Sequence, residues 1–295
     1  MTGDVEEAIL EMYLSGISVH KIAGVTDALS KVRIGKDAVS RIAARLEEQQ
    51  KKWREHSLEE KEYLYLDATY LKVRWGARLG SLTLLACAGI DEKGFREVLA
   101  AAMAGKKSAA YASLLQDLID RGLWGVRLVV SDDHEGMKAA VRGELTGVDW
   151  QRCIVHFERN VLSHVPTSSM SEVAEDLTAI LKVRREKTAL ALAEEFMEFH
   201  GGRFPKAISV FEAGISEALT YLSYPGSHHA RIRTTNMLER LFKEAQRRTR
   251  VVGVFPNEMS ASTLATEIAL RSSEEWALKR YLTMDALEAA ENPDP

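Results

Sequence analysis

Apolar residues recur with two different periods along this chain of 295 residues, and the period changes near residue 60 and again near residue 157. In the first 50 residues the apolar positions lie three and four apart, which predicts helices at 6–14, 19–23 and 38–49. Asp37 is placed to cap the third of them. Two short helices, a turn and a third helix are typical of a helix-turn-helix unit, and they fit equally well a small helical bundle used for packing or dimerisation.

A period of two begins after residue 60. Residues 63–74 alternate, with apolar side chains on both faces and Asp67 near the middle, which predicts a long strand buried on both sides. The charged segment 51–61 predicts a connector between the N-terminal helices and this strand. Together the later elements predict a mixed α/β sheet flanked by helices. The further strands are expected at 82–90, 95–103, 127–130 and 153–155, and the helices between them at 107–121 and 136–145.

Helical spacing returns from residue 157 to residue 224 without any strand pattern, so we expect an all-helical insertion there. Pro225 and Gly226 end it, and a basic helical run at 231–250 and a final helical region at 261–287 follow. The predicted organisation is an N-terminal helix-turn-helix-like region (1–55), a first part of the sheet-containing core (60–156), the insertion (157–228) and a C-terminal part of the core (229–295).

The charge balance directs attention to the basic run. The net charge is -4, so no global field attracts nucleic acid, and any such contact must come from a local patch. Residues 231–250 contain seven arginines and lysines and only two acids, Glu239 and Glu244, a composition typical of a phosphate-binding helix. The candidate DNA-binding residues of this run are Arg233, Asn236, Arg240, Lys243, Arg247, Arg248 and Arg250.

The two cysteines and the distribution of apolar residues indicate the cellular compartment of the protein. Cys87 and Cys153 are the two cysteines of the chain, which argues against a disulfide framework and suits a reducing cytosol. Acidic and polar residues follow Met1 where a signal peptide would be basic and then apolar, and no uncharged apolar segment approaches the roughly 18 residues of a membrane span. We therefore expect a cytoplasmic protein without a membrane segment.

Two aspartates stand at positions where ligand sites collect. Asp67 lies within an otherwise apolar strand, and Asp132 follows the short buried strand. A buried aspartate costs several kcal/mol unless it is paired, hydrogen-bonded or bound to a cation. Ordinary explanations stay open for both. Asp67 could face an uncovered side of the sheet or pair with a nearby basic residue, and Asp132 could cap the next helix, as Asp133 could equally do.

Glu239 is the third acid of interest, because it lies alone among arginines at the start of the basic helix. Its ordinary explanation is an ion pair with Lys243, four residues later. Taken with Asp67 and Asp132, however, it can help to hold two divalent cations about 4 Å apart. Oxygen ligands suit Mg²⁺ or Mn²⁺, and such a pair of ions supports in-line phosphoryl transfer.

Four segments carry a family resemblance. They read L-D-A-T-Y-L-K-V-R (66–74), V-V-S-D-D-H-E-G (129–136), Q-R-C-I-V-H-F-E-R-N (151–160) and the basic run 231–250. In this order and spacing they resemble the Mutator-like transposases of bacterial insertion sequences. The resemblance implies a ribonuclease H-like catalytic domain interrupted by a helical insertion, with Asp67, Asp132 and Glu239 as an Asp-Asp-Glu triad that binds two Mg²⁺ or Mn²⁺ ions.

The same resemblance implies a C-x-x-H motif at Cys153 and His156, after the second aspartate. Such a pair can supply half of a zinc site, but Cys87 lies in a strand pattern and His164 is a weak candidate for completing it. We expect a structural or DNA-positioning role for the motif instead.

The function implied is that of a DNA transposase, acting as a homodimer, that binds inverted-repeat ends, cleaves the DNA and joins the 3′-hydroxyl to target DNA. A non-catalytic DNA-binding remnant that represses transposition is the alternative, and a general nuclease of the same fold is a third hypothesis. Three departures from the family pattern stand out: an acid at Asp133 where a small residue is usual, Gln246 where a basic residue is common, and an N-terminal DNA-binding region expected to be shorter than in the family.

Overall fold

The structure is a computed structural model that describes residues 8–9, 12, 17, 21–22, 24–25, 36–75, 78–104, 109–252 and 258–287. The predicted helices at 6–14 and 19–23, and with them the proposed helix-turn-helix arrangement, lie largely outside the described residues. Within the described part of the chain, no helix is both long enough and apolar enough to cross a membrane.

The first fully described element is helix α1 (Lys36–Glu55). It runs beyond the predicted end at residue 49, so the prediction of a connector beginning at residue 51 was wrong. The charged residues that suggested a connector lie on solvent-facing sides of the helix, where Lys52 forms an ion pair with Glu48. On its inner side Gln50 is buried and donates a hydrogen bond to the carbonyl oxygen of Thr263 at 3.0 Å.

Five strands form one sheet in the order β3-β2-β1-β4-β5. Strands β1, β2 and β3 are antiparallel, whereas β4 runs parallel to β1 and β5 runs parallel to β4. The expectation of a mixed α/β sheet flanked by helices is confirmed. The strands are β1 (Tyr63–Trp75), β2 (Arg78–Ile90), β3 (Arg96–Ala104), β4 (Leu128–Ser131) and β5 (Asp149–Arg152).

The helices fall before, within and after the sheet. Between the strands lie α2 (Ala109–Asp120) and α3 (Glu135–Glu144), close to their predicted positions. After β5 the described chain contains helices and no strand, as the apolar spacing predicted, but the last long helix begins at Glu258 and ends at Ala277, before the predicted end at residue 287. These helices are α4 (Ile154–Leu162), α5 (Met170–Lys182), α6 (Glu186–Gly201), α7 (Pro205–Leu219), α8 (His229–Ile232), α9 (Asn236–Val252) and α10 (Glu258–Ala277).

The predicted strand at 153–155 was wrong, because β5 ends at Arg152 and Cys153 is the residue that precedes α4. The amide of Phe157 donates to the carbonyl oxygen of Cys153 at 2.9 Å, which begins the helix. A short apolar run does not by itself distinguish a strand from a buried helix. Here the buried positions recur at a helical spacing, at Ile154, Phe157 and Val161.

Strand β1 separates two apolar clusters. Its even-numbered residues Leu64 and Leu66 pack with α2 and α3 on one face of the sheet. Its odd-numbered residues Tyr63 and Tyr65 are fully buried on the other face, against α4, α9, α10 and the helices of the insertion. Burying side chains of this size stabilises the fold by about 1.5–3 kcal/mol each. By this alternation Asp67 belongs to the face that α4 and α9 cover.

Candidate active site

The register of two parallel strands brings Asp67 and Asp132 together. Leu66 of β1 is in register with Ser131 of β4, the last pair between these strands, so the two aspartates are the next residue on each chain segment. Asp67 is only 7% exposed, and Asp132 is half-buried. The two carboxylates are close enough for the charge of Asp132 to act on the ionisation of Asp67. The two aspartates therefore lie side by side on neighbouring strands, and their shared role stays a prediction.

Asp67 is a buried acid, and the cost of burying its charge is only partly offset by its hydrogen bonds and by His156. Burial is the largest influence on this carboxyl and raises its pKa above the usual range, and the charge of Asp132 raises the pKa further. The charge of His156 acts in the opposite direction, as do hydrogen bonds from the Thr235 side chain and from the backbone N–H of Ala68, the latter at 2.7 Å. The alternative of an aspartate on an uncovered face of the sheet does not fit this burial.

The neighbouring acid, Asp133, forms ion pairs with two basic residues. Its carboxylate forms ion pairs with Lys138 Nζ at 3.0 Å and with the guanidinium of Arg152 at 2.9 Å. Arg152 is 4% exposed, so this is a buried structural pair. Asp132 instead uses one carboxylate oxygen to accept the backbone N–H of Asp133 at 2.7 Å and stays beside Asp67.

Neither aspartate caps helix α3. The residue before the helix is His134, whose Nδ1 accepts the backbone N–H of Gly136 at 3.2 Å. The capping explanation that was open for both aspartates therefore does not apply. His134 is exposed, and its ring packs against Tyr111 at a centroid distance of 5.2 Å.

The C-x-x-H motif faces the two carboxylates. Contact with Cys153 raises the pKa of His156 to about 9 despite partial burial, and the charges of Asp132 and Asp67 act in the same direction. Burial opposes ionisation of the Cys153 thiol, but His156 and the backbone N–H of Thr235 outweigh it and lower the thiol pKa. The buried Nδ1 of His156 has no hydrogen-bond partner of ordinary geometry within the described residues. His156 therefore lies beside the Cys153 thiol and two acids that favour its protonated form.

The segment before α9 is attached to the same place. The backbone N–H of Ile154 donates to the carbonyl oxygen of Arg233 at 3.0 Å, and the backbone N–H of Thr235 donates to Cys153 Sγ at 3.4 Å. The Thr235 side chain also reaches the carboxylate of Asp67. The start of α9 is therefore held beside Asp67 within β1 and beside the residues that follow β5.

Glu239 lies in the first turn of α9, four residues after Thr235. Residues four apart share a helix face, so its backbone is one turn from the contact between Thr235 and Asp67. Its carboxylate, however, accepts from Lys243 Nζ at 3.0 Å, and the side chain is 39% exposed. The ion pair considered as the ordinary explanation is present. Among the described residues, no three His, Cys, Asp or Glu side chains are placed together to hold a metal ion.

Gln246 packs α9 against β1 further along the same helix face. Its side-chain amide donates to the hydroxyl of Thr69 at 3.0 Å, and Thr69 lies two residues after Asp67 on the same face of the strand. This residue stands where a basic residue is common in the family that the motifs resemble. Here it makes a contact within the protein.

The candidate DNA-binding residues divide into exposed and internal groups. Arg233 is half-buried and donates to the carbonyl oxygen of Leu181 at 3.2 Å, which is a structural contact. Glu244 accepts from Arg247 and from Arg248, and these bonds lower the pKa of its carboxyl to about 2. The side chain of Arg250 lies outside what the structure describes. The exposed members of the set are Asn236, Arg240, Lys243 and Arg247.

The comparison with known proteins decides the family. A family model described as "Transposase, Mutator family" matches residues 1–279. The chain belongs to the Mutator family of transposases.

Relatives of this Mutator-family chain are similar over most of its length. An insertion-sequence transposase of Rhizobium meliloti is 39% identical over 282 residues, which cover 95% of this chain and 71% of that protein. One from Staphylococcus aureus is 32% identical over 289 residues, covering 94% and 73% respectively. Among solved structures, a Drosophila P element transposase strand transfer complex matches 97% of this chain and 84% of the other at 9% identity and a TM-score of 0.36, a likeness too weak to establish a shared fold.

The environment of Asp67 indicates which residues of this Mutator-family chain could hold divalent cations. A carboxylate whose burial is poorly compensated, beside a second carboxylate, is an oxygen donor pair that suits Mg²⁺ or Mn²⁺. Asp67 and Asp132 therefore fit a metal, whereas Glu239 is turned toward Lys243.

Sequence reasoning missed Thr235 and Arg152. Thr235 connects Asp67 with Cys153, and Arg152 forms an ion pair with the carboxylate of Asp133. The sequence shows T-T-N before the basic helix, but hydroxyl side chains at such positions usually cap a helix. They therefore did not predict a contact with Asp67. Nothing in the sequence pairs Arg152 with Asp133, because the partners lie on different elements.

Proposed function

We propose that this chain is a DNA transposase that binds the inverted-repeat ends of its element, cleaves the DNA strand by metal-dependent phosphoryl transfer and joins the 3′-hydroxyl end to target DNA. The observation that carries the proposal is the buried carboxylate of Asp67 beside Asp132, at the point where the parallel pairing of β1 with β4 ends, in a chain of the Mutator family. The names of the relatives, which are transposases for insertion sequence elements, support it.

In this proposal Asp67, Asp132 and Glu239 hold two Mg²⁺ or Mn²⁺ ions. When bound, such ions activate the attacking oxygen and stabilise the leaving oxygen of an in-line displacement. Glu239 joins the aspartates by turning away from Lys243. An exposed ion pair between residues four apart on a helix contributes only about 0.3–0.5 kcal/mol, so the Glu239 carboxylate is easily redirected.

The exposed cations of α9 are proposed to bind DNA phosphates. Arg240 and Lys243 lie on the same helix as Glu239, so phosphates bound there approach the paired carboxylates. Contacts of this kind position the DNA without reading its sequence. Recognition of the inverted repeats is proposed for the N-terminal region, residues 1–55.

The core is proposed to be ribonuclease H-like, and the active form a homodimer. The strand order β3-β2-β1-β4-β5, with three antiparallel strands followed by two parallel ones, supports the first proposal. The second follows from function, since a transposase must bring two transposon ends together.

The test is cleavage of a duplex that carries the element's ends, with Mg²⁺ or Mn²⁺. Asp67→Asn keeps the size of the side chain and removes its charge, so cleavage should fall by more than about 100-fold, because changes even in the surroundings of a metal site cost 10–100-fold. DNA binding should be retained. Asp120→Asn, at the exposed end of α2, is the matched control and should cleave normally.

Three outcomes would overturn the proposal. Undiminished cleavage by Asp67→Asn removes the assigned role of this carboxylate. Wild-type protein that binds the ends but never cleaves them with either metal is the non-catalytic DNA-binding remnant. Cleavage that does not depend on the inverted repeats identifies a general nuclease.

A further inference from the structure

Cys153 is a buried residue at the junction of three segments that carry the acids. It is 0% exposed and lies between the end of β5 and the start of α4. Its backbone N–H donates to the carbonyl oxygen of Ser131 at 2.7 Å, which fixes it to the residue before Asp132. Its sulfur contacts both His156 of α4 and the segment that leads into α9.

The sulfur is used by the segment that leads into α9. Thr235 donates its backbone N–H to Cys153 Sγ at 3.4 Å, and its hydroxyl oxygen, whose single proton serves the Asp67 carboxylate, lies 3.6 Å from the same sulfur. Thr235 is 1% exposed, so in the described structure its N–H depends on this acceptor. The parallel backbone bond from Ile154 to Arg233 makes the attachment a two-point one.

The attachment places Glu239 relative to the aspartates. Thr235 contacts Asp67 on β1 through its side chain, and Cys153 contacts the residue preceding Asp132 on β4. Glu239 follows Thr235 by one helical turn on the same face. Cys153 therefore connects the segment before α9, through its sulfur, to the end of β4, through its backbone N–H, while Thr235 makes the contact with Asp67 on β1.

We infer that Cys153 is a positioning residue: its sulfur, acting through Thr235, holds the start of α9 and thereby Glu239 beside Asp67 of β1 and the end of β4. The role assigned to Glu239 rests on the proposed function, but the attachment itself does not. The C-x-x-H motif then contributes its cysteine to the geometry of the site without any bond from sulfur to metal or DNA.

Hydrogen exchange of the full chain, without DNA or metal, tests the attachment directly. Cys153→Ala removes the acceptor and leaves a buried N–H unpaired, so amides within 234–238 should exchange about 10-fold faster, while those of β2 and α10 stay unchanged. Cys153→Ser restores an acceptor closer to the backbone than sulfur and should recover part of the protection.

Cys87→Ala is the matched control, because it also removes a buried sulfur. Cys87 lies in β2 within the apolar cluster formed with α2 and α3, away from α9. Its substitution should leave exchange within 234–238 at the wild-type rate. Exchange there that is the same in Cys153→Ala and Cys87→Ala would overturn the inference, and so would acceleration spread evenly along the chain.

Cleavage kinetics separate this inference from the proposed function. If the wild-type protein cleaves ends, Cys153→Ala should lower kcat by about 10-fold or more with KM for DNA within about twofold, since a misplaced group acts on the chemical step. Cys153→Ser should recover part of kcat. Full activity of Cys153→Ala in a cleaving protein contradicts the positioning role, whereas absence of cleavage by the wild type contradicts only the proposed function.

Discussion

Adjacent aspartates at the end of β4 have different surroundings. Asp133 is held between two cations, one of which, Arg152, is almost completely buried. Asp132 faces a second acid, Asp67. Removing one partner of a buried pair leaves an uncompensated charge, whereas removing one of two like charges relieves repulsion. The two positions should therefore respond in opposite ways to the same substitution.

Asp133→Ala should lower the free energy of unfolding by about 3 kcal/mol, because it leaves Arg152 buried without its carboxylate. Asp132→Ala should be neutral or slightly stabilising. Urea unfolding of the two variants beside the wild type measures both effects. Equal destabilisation by the two substitutions would contradict the distinction between the two environments.

A buried histidine, His229, should make stability depend on pH. Burial is the largest influence and lowers its pKa below the usual 6.5; the charges of Arg233, Arg184 and His228 act in the same direction, against a hydrogen bond to the carbonyl oxygen of Tyr224. A base with a depressed pKa in the folded state contributes stability above its unfolded pKa, and this stability is lost as the pH falls below about 6.5.

His229→Gln keeps a donor for the Tyr224 carbonyl oxygen and does not titrate. Between pH 7.5 and 5.5, a range of about two units around the ordinary histidine pKa, the wild type should lose more unfolding free energy than the variant. Thermal or urea unfolding at several pH values gives the difference. Parallel curves for the two proteins would show that His229 does not titrate differently in the folded state.

At the scale of elements, α9 is attached to β1 at both ends of one helix face. Thr235 contacts Asp67 near the start, and Gln246 donates to Thr69 further along. Glu239 lies between these two contacts in the sequence of the helix, which places it on the side facing β1. The solvent-facing side next to Glu239 carries Arg240 and Lys243, and Lys243 is paired with Glu239. Glu239 therefore lies at the boundary between the side of α9 that contacts β1 and its exposed basic side.

The exposed basic residues of α9 lead to a prediction of how the affinity for DNA depends on salt concentration. The slope of log K against log salt should fall by about 0.9 for each DNA phosphate that the protein no longer neutralises. Arg240→Gln should therefore weaken binding of duplex DNA of any sequence. It should lower the magnitude of this slope by about 0.9, the value for one phosphate contact. Lys206→Gln, an exposed lysine on α7, should leave the slope unchanged. Fluorescence anisotropy across a salt series makes the comparison, and equal slopes for the two variants would exclude α9 as the phosphate-binding surface.

At the scale of the whole molecule, the helices that follow β5 are bound to the sheet by the cations Arg152 and Lys138. Arg152 of β5 lies against α7 at Gly214, where an added Cβ would be 2.3 Å from a guanidinium nitrogen and 2.9 Å from the Phe157 ring. Lys138 of α3 bridges to Glu217 of α7 at 2.9 Å. The insertion and the strand end that carries Asp132 are therefore parts of one packed unit.

Gly214→Ala should lower the free energy of unfolding by about 1–3 kcal/mol, because the added methyl group displaces Arg152 and Phe157 from a filled site. Gly143→Ala is the matched control: Gly143 is also helical, in α3, and its Cβ would meet no atom within 4 Å. That substitution should stabilise the protein by about 0.4–1 kcal/mol. Urea unfolding distinguishes them, and a neutral Gly214→Ala would contradict the close packing of Arg152 on α7.

The sequence by itself determined the elements and the family. Apolar alternation located β1 and its buried aspartate, helical spacing located the insertion, and four motifs indicated the Mutator family that the comparison confirmed. These features are local, since the period of burial along a segment reflects its own secondary structure. The same local patterns gave wrong predictions at 51–55 and at 153–155, where a charged run and a short apolar run each allow more than one structure.

Only the tertiary structure decided which side chains meet. It separated Asp132 from Asp133 through Lys138 and Arg152, and it joined Cys153 to Thr235 across 82 positions of the chain. It also left Glu239 with Lys243, so the convergence of three acids that the motifs imply stays a proposal. Pairings of this kind follow from how strands and helices pack in space, and no periodicity within a single segment contains that information.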